Sequence, residues 1–136
     1  MTAAPFPSGL GDGVVLAGRL LLAAIFLHEA FDTLENYAAT VAYMKAGGVP
    51  GLLLPAVIAV QAGGGLSVAL GYRSGAAALL LAGFCLAAAV LFHAHFADRN
   101  QLLHFEKNLA MAGGFLLLWA HGPGRWALGA KAKAEG

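Results

Sequence analysis

A single cysteine, Cys85, stands in the 136 residues, so no disulfide closes within one chain and no CxxC pair carries electrons. Charge is scarce as well. Asp, Glu, Lys and Arg make up 11% of the chain, against about 25% in ordinary soluble domains. Eight Lys+Arg against seven Asp+Glu leave a formal net charge of +1. No basic stripe is present to follow a nucleic-acid backbone, which excludes that class of partner. There is no phosphate loop, no GxSxG and no HExxH. The 19 glycines follow no three-residue period, which excludes a collagen-like chain. What is abundant is apolar: 60% of the residues are AVILMFWYC, and mean hydropathy is +0.74. One domain is the expectation at this length. A domain this small has too much surface for its volume to hide that apolar content from water. Lipid is the solvent the composition asks for.

A spanning helix takes about 20 mostly apolar residues. Four segments approach that length, at about 14–34, 52–71, 75–96 and 102–121. A soluble helical core would need polar faces, and segments two and three have almost none. The pattern predicts an all-α polytopic membrane protein: an up-down four-helix transmembrane bundle. Residues 1–13 (MTAAPFPSGLGDG) form a leader without Lys or Arg. A cleavage site does not follow span one, so it is not a removable signal. Residues 14–121 form the transmembrane domain and 122–136 a tail. Between spans one and two, residues 35–46 place Tyr37, Val41 and Met44 on one face of a short interfacial helix.

Orientation follows from cation asymmetry. Arg19, Arg73, Arg125, Lys131 and Lys133 fall on the side shared by the termini; Lys45, Arg99 and Lys107 fall on the other. Both termini are expected in the cytoplasm of a bacterium, with the chain in its inner membrane. Arg19 can snorkel to the cytoplasmic headgroups, and structural anchoring is its expected role. Small residues recur at helical spacing: Ala59, Gly63, Ser67 and Gly71 in span two, Ala78, Ala82, Cys85 and Ala89 in span three, Ala110 and Gly114 in span four. Such stripes allow helix backbones to approach closely in lipid.

Ionisable groups at membrane depth are costly and mark function by default. Here the polar groups gather towards one end of the spans: His28, Glu29 and Asp32 in span one, His93 in span three, Lys107 and Asn108 in span four, with Gln61 of span two nearer mid-membrane. Several readings stay open. One is a structural network in which Lys107 neutralises Glu29 or Asp32. Another is a quinone pocket, with His93, Lys107 and Asn108 donating to a carbonyl and Glu29 or Asp32 relaying a proton. A third is a metal site drawn from His28, Asp32, His93, His95 and His104. A fourth is haem b between His28 and His93. Transport lacks an inverted repeat or paired broken spans.

Four blocks in order carry a resemblance: GRLLLAAIFL (18–27), YMKAGGVP (43–50), the run GGGLSVALGYRSGAAALLLAGFCLAAAVLFH (63–93), and HFEKNLAMAGGFLLLWAHGPGRWALG (104–129). Together the chain resembles the DoxX family. That resemblance implies a small four-helix inner-membrane protein in a redox setting, since relatives include a subunit of a thiosulfate:quinone oxidoreductase and a protein needed for methylamine dehydrogenase maturation. It implies a quinone-facing or accessory subunit, with a membrane or periplasmic redox enzyme as partner and with self-association or a second subunit open. A non-enzymatic scaffold for a partner dehydrogenase is the alternative. By position, Arg19, Tyr43, Gly64, Gly65, Arg73, His93, Lys107 and Asn108 match the family pattern. Where members often carry Ser-Gly followed by a Lys in span one, this chain has Glu29, Ala30 and Thr33. A Glu often found in mid span two is Gln61 here. The resemblance then implies a family ion pair replaced by a neutral arrangement.

Overall fold

A computed structural model describes residues 7–130, and no strand occurs among them. Helix α1 spans Ser8–Glu35, beginning earlier than the apolar run suggests. The expected leader is therefore partly helical, and its residues 1–6 lie outside the described residues, as do 131–136 of the tail. At Asn36 the backbone leaves helical geometry, with φ −111° and ψ 37°. Its side-chain amide donates to the Asp32 carbonyl and to Asp32 Oδ1, each at 3.1 Å, and holds the corner. Helix α2 (Tyr37–Ala46) follows and buries Met44. Gly48, at φ +79°, ends it. One 3₁₀ turn, Gly51–Leu53, leads into α3 (Leu54–Leu70), where Pro55 sits in the first turn and removes no needed donor. Gly71, at φ +69°, closes α3, and the Tyr72 N–H returns to the Ser67 carbonyl at 3.0 Å.

Helix α4 covers Ser74–Phe92, four residues shorter than the apolar run to Phe96. His93 closes it, so His95 and Phe96 lie in the connection and not on the helix. Helix α5 (Arg99–His121) starts at Asp98, whose Oδ1 accepts from the Asn100 N–H at 2.8 Å and the Gln101 N–H at 3.4 Å.

Helix α1 packs on α3, α3 on α4, and α4 on α5, while α5 returns to α1 through a lighter contact. The shared core joins Phe26 of α1, Val68 of α3, Leu81 and Cys85 of α4, and Phe115 of α5. Phe26 meets Phe115 edge-on at 5.4 Å and Phe84 at 6.1 Å. Ala78, Ala82, Cys85 and Ala89 are all buried, as their spacing predicts. The stripe on α3 is displaced from the predicted one. Gly64 and Gly65 make the close approach, a Cβ on Gly64 falling 2.9 Å from Leu81 and one on Gly65 3.2 Å from Leu27. Ala59 and Gly63 face outward. On α5 the buried small residue is Ala112, and Ala110 is exposed. A mere spacing of four fits either face of a helix; the neighbour decides which is used.

The outside of this core is apolar. Leu21, Leu52, Leu117 and Val90 are each more than 60% exposed. Three helical stretches, Gly9–Glu35, Gly51–Leu70 and Ser74–Phe92, are long and apolar enough to cross a membrane. α5 is not among them, because its first half carries His104, Glu106, Lys107 and Asn108.

Arg19 is an anchor but does not snorkel. It is 2% exposed. Nη1 donates to the carbonyls of Pro123 at 2.6 Å and Trp126 at 3.0 Å; Nη2 donates to the Ala69 carbonyl at 3.0 Å. Carbonyls at the end of α3 carry the negative end of its dipole, which suits a cation. The guanidinium thereby latches the segment after α5 across the end of α3. Leu128 and Gly129 add backbone bonds to Leu70 and Gly71 at 3.0 and 3.1 Å, and Arg125 pairs with Asp12 at 2.8 Å.

Candidate functional site

At the opposite end of α3 the molecule opens. A cavity of about 520 Å³ lies between the last turns of α1, helix α2, the first half of α3 and the last half of α4. Val57, Phe84, Leu91 and Phe92 are among its apolar walls. Its polar groups are Glu29, Asp32, Thr33, Asn36, Thr40, Tyr43, Gln61 and His93. Tyr43 stacks on Phe92 at 5.1 Å with 19° between the rings. Burial holds its phenol above the ordinary value, so it stays a neutral hydroxyl.

Of the seven polar residues singled out by the sequence, four line this cavity: Glu29, Asp32, Gln61 and His93. Gln61 is 7% exposed, and its Oε1 is buried with no hydrogen-bond partner among the described residues. An amide oxygen left this way costs about 1–3 kcal/mol. Gln61 lines the cavity, but the oxygen itself has almost no accessible surface there. His93 is half-buried, and its Nδ1 lies 2.8 Å from Gln101 Oε1.

The other three lie elsewhere. His28 is exposed and does not line the cavity. Asn108 is buried but donates to the His104 carbonyl of its own helix at 2.9 Å. Lys107 is exposed, with Nζ 3.2 Å from His104 Nδ1. It therefore pairs with neither Glu29 nor Asp32. Among the described residues the ion pair within 4 Å is Arg125 with Asp12. His104 stacks on His93 at 5.1 Å, so the α5 polar group stands behind His93, outside the cavity. The direct carbonyl contacts assigned to Lys107 and Asn108 are corrected accordingly: their polar atoms are engaged on α5.

The metal set is also corrected. Among the described residues no three His, Cys, Asp or Glu side chains come together to hold an ion. His28 and His95 are exposed on different elements, and His93 faces His104 ring to ring, which directs neither nitrogen pair at a shared point. A haem between His28 and His93 meets the same obstacle, since only His93 reaches the cavity.

Thr33, Asn36 and Thr40 are cavity residues that the sequence reading passed over. A signal existed: Glu29, Thr33, Asn36 and Thr40 follow one another at helical spacings of three and four.

Membrane-length apolar helices enclosing an amphiphile-sized cavity define a small polytopic membrane protein. The DoxX family model matches residues 14–94, and the chain belongs to the DoxX family. "Inner membrane protein YqjF" of Escherichia coli (strain K12) is 44% identical over 119 residues, covering 88% of this chain and 92% of the relative. "Inner membrane protein YphA" of the same organism is 32% identical over 119 residues, covering 82% and 84%. No solved structure matches the chain. Such relatives and the apolar spans together support a bacterial inner-membrane location.

Proposed function

We propose that this chain is a quinone-facing or accessory subunit of a periplasm-linked redox system. The observation that carries the reading is the cavity: apolar walls ending in a polar set that includes Glu29, Asp32, Gln61 and His93. Its volume lies within the range of about 300–1,000 Å³ found for small-molecule sites. A quinone supplies reversible two-electron, two-proton chemistry when bound. Val57, Phe84 and Leu91 pack against its tail. Gln61 and His93 orient the ring. Glu29 and Asp32, both exposed at the rim, exchange protons with water. Purified in mild detergent, the protein is expected to carry extractable quinone, and Gln61→Leu to lose most of it. Absence of quinone, with quinone reduction unchanged in membranes carrying His93→Ala, would sink the proposal.

The same reading takes α5 as a fourth span, completing an up-down bundle over 14–121 with α2 at the interface and both termini in the cytoplasm. Support comes from α5 packing along α4 and from the Lys/Arg asymmetry. Cysteine labelling from the two sides tests it: Ser8→Cys should react from the cytoplasm and Ala97→Cys from the periplasm.

A specific observation favours the scaffold reading as second. A groove of about 430 Å³ between α3 and α4 is lined by small residues including Ala59, Gly63, Ser67 and Ala76. A Cβ on Gly63 would meet nothing within 4 Å. A helix of a partner dehydrogenase subunit fits such a surface. Gly63→Leu should then abolish co-purification of that subunit and leave quinone content unchanged.

A further inference from the structure

The groove between α3 and α4 ends in a cation. Arg73 lines it together with Ala59, Gly63, Ser67 and Ala76, and no acidic residue does. Among the described residues Arg73 makes no ion pair within 4 Å, and its guanidinium lies 5.9 Å from the centre of the Tyr72 ring. Helix α4 starts at the same place. No side chain caps it, and the Arg73 carbonyl takes the Ala77 N–H at 3.1 Å. The N–H groups before Ala77 therefore have no acceptor within the helix, and a helix start of this kind suits an anion. Tyr72, Trp119 and Trp126 stand half exposed at this end, and a Cβ on Gly75 would lie 3.7 Å from Trp119. Tyr and Trp gather at the headgroup level of a membrane.

The groove is also one leaflet deep. From Ala59 onward the Gly51–Leu70 stretch rises roughly 16 Å, against about 15 Å for half of a bilayer's hydrocarbon core. It opens on the outside of two membrane-length helices, with Leu80 half exposed at its lip. A spanning partner helix would cross both leaflets, whereas nothing before Ala59 on α3 lines this groove. We propose that one acyl chain of an anionic phospholipid lies in the groove, with its phosphate against the Arg73 guanidinium and the start of α4. This goes beyond the quinone reading, which uses a different cavity, and gives the groove a lipid in place of the partner helix of the scaffold reading. Small residues make room for the chain, and the cation selects the headgroup. Basic pockets between spans take anionic headgroups in this way.

The test is native mass spectrometry of the full-length protein, stripped of lipid in detergent and then given equal amounts of dioleoyl-phosphatidylglycerol and dioleoyl-phosphatidylcholine. The expected result is a single retained lipid, with phosphatidylglycerol favoured about fivefold, the worth of one Arg near the headgroups. Asn tolerates the positive φ of 47° at position 73, so Arg73→Asn removes the charge without straining the backbone. In that variant the preference should fall to about twofold or less, as loss of the one cation implies. Gly63→Leu fills open space and should abolish retention of both lipids while Arg73 stays in place. Equal retention of the two lipids by the wild-type protein overturns the proposal, as does an unchanged preference in Arg73→Asn. Undiminished retention in Gly63→Leu reduces Arg73 to a surface charge and overturns the groove. A membrane subunit that co-purifies with the wild-type protein and is lost in Gly63→Leu, while the phosphatidylglycerol adduct persists, gives the groove to a helix and also overturns it. The wild-type comparison decides the matter even where a variant fails to fold, and no outcome touches the quinone reading.

Discussion

Two turns or so of α3 separate two buried polar groups with opposite treatment. Near the end of the helix, the Arg19 guanidinium reaches three backbone carbonyls, with only its Nε left over. Towards the middle, the Gln61 oxygen reaches nothing. A cation in an apolar medium is far costlier than an amide, so the chain supplies Arg19 with the end of α3 and a whole folded-back segment. The amide is left facing a cavity. Full satisfaction at one end gives a fixed latch. Incomplete satisfaction at the other leaves a local cost in stability.

Breaking the latch should have the largest effect. Arg19→Leu leaves the Ala69, Pro123 and Trp126 carbonyls without their donor and should destabilise the protein by about 3 kcal/mol, read by unfolding in mixed micelles. Arg19→Lys should recover only part of this, because one ammonium does not span the fork of contacts. An undiminished unfolding midpoint in Arg19→Leu would end the latch interpretation. Next comes Gly64→Val, which drives a side chain into Leu81 and should cost about 2 kcal/mol. The neighbouring Gly63→Val meets open space and should stay within about 0.5 kcal/mol. Equal losses in the two variants would show that the α3 faces are wrongly assigned.

At the cavity the sign should reverse. Gln61→Leu removes a buried orphan acceptor and should raise the stability of the ligand-free protein by about 1 kcal/mol while weakening ligand binding. A loss of stability there would mean that the amide is structural after all. Thr33→Val is the smallest change. It keeps the shape of a buried residue whose hydroxyl makes no bond among the described residues, and it should alter stability by less than about 0.5 kcal/mol. Ligand affinity measured in parallel tells whether that hydroxyl is used.

Much of the architecture was legible. Apolar runs placed the membrane-length helices, span two ends at Gly71 as its bounds predict, and the Ala78–Ala82–Cys85–Ala89 face is buried as spaced. The candidate site was legible in part. Glu29, Asp32, Gln61 and His93 meet in one cavity; Lys107 and Asn108, equally prominent in the sequence, turn to His104 on their own helix. Spacing along α5 puts them near His93, but the partner chosen by each side chain depends on local distances that sequence does not carry. Arg19 was read as a structural anchor, but what it anchors was hidden for the same reason. A cation near a helix end resembles an interfacial anchor until a segment more than a hundred positions later is seen to fold over it.

The sequence by itself determined the solvent of this protein and three of its membrane-length apolar helices. Hydropathy is a sum over local residues, and lipid responds to that sum. Only the tertiary structure decided which polar residues are satisfied and which are not. Satisfaction depends on what lies across a gap of about 3 Å, and that neighbour comes from another helix.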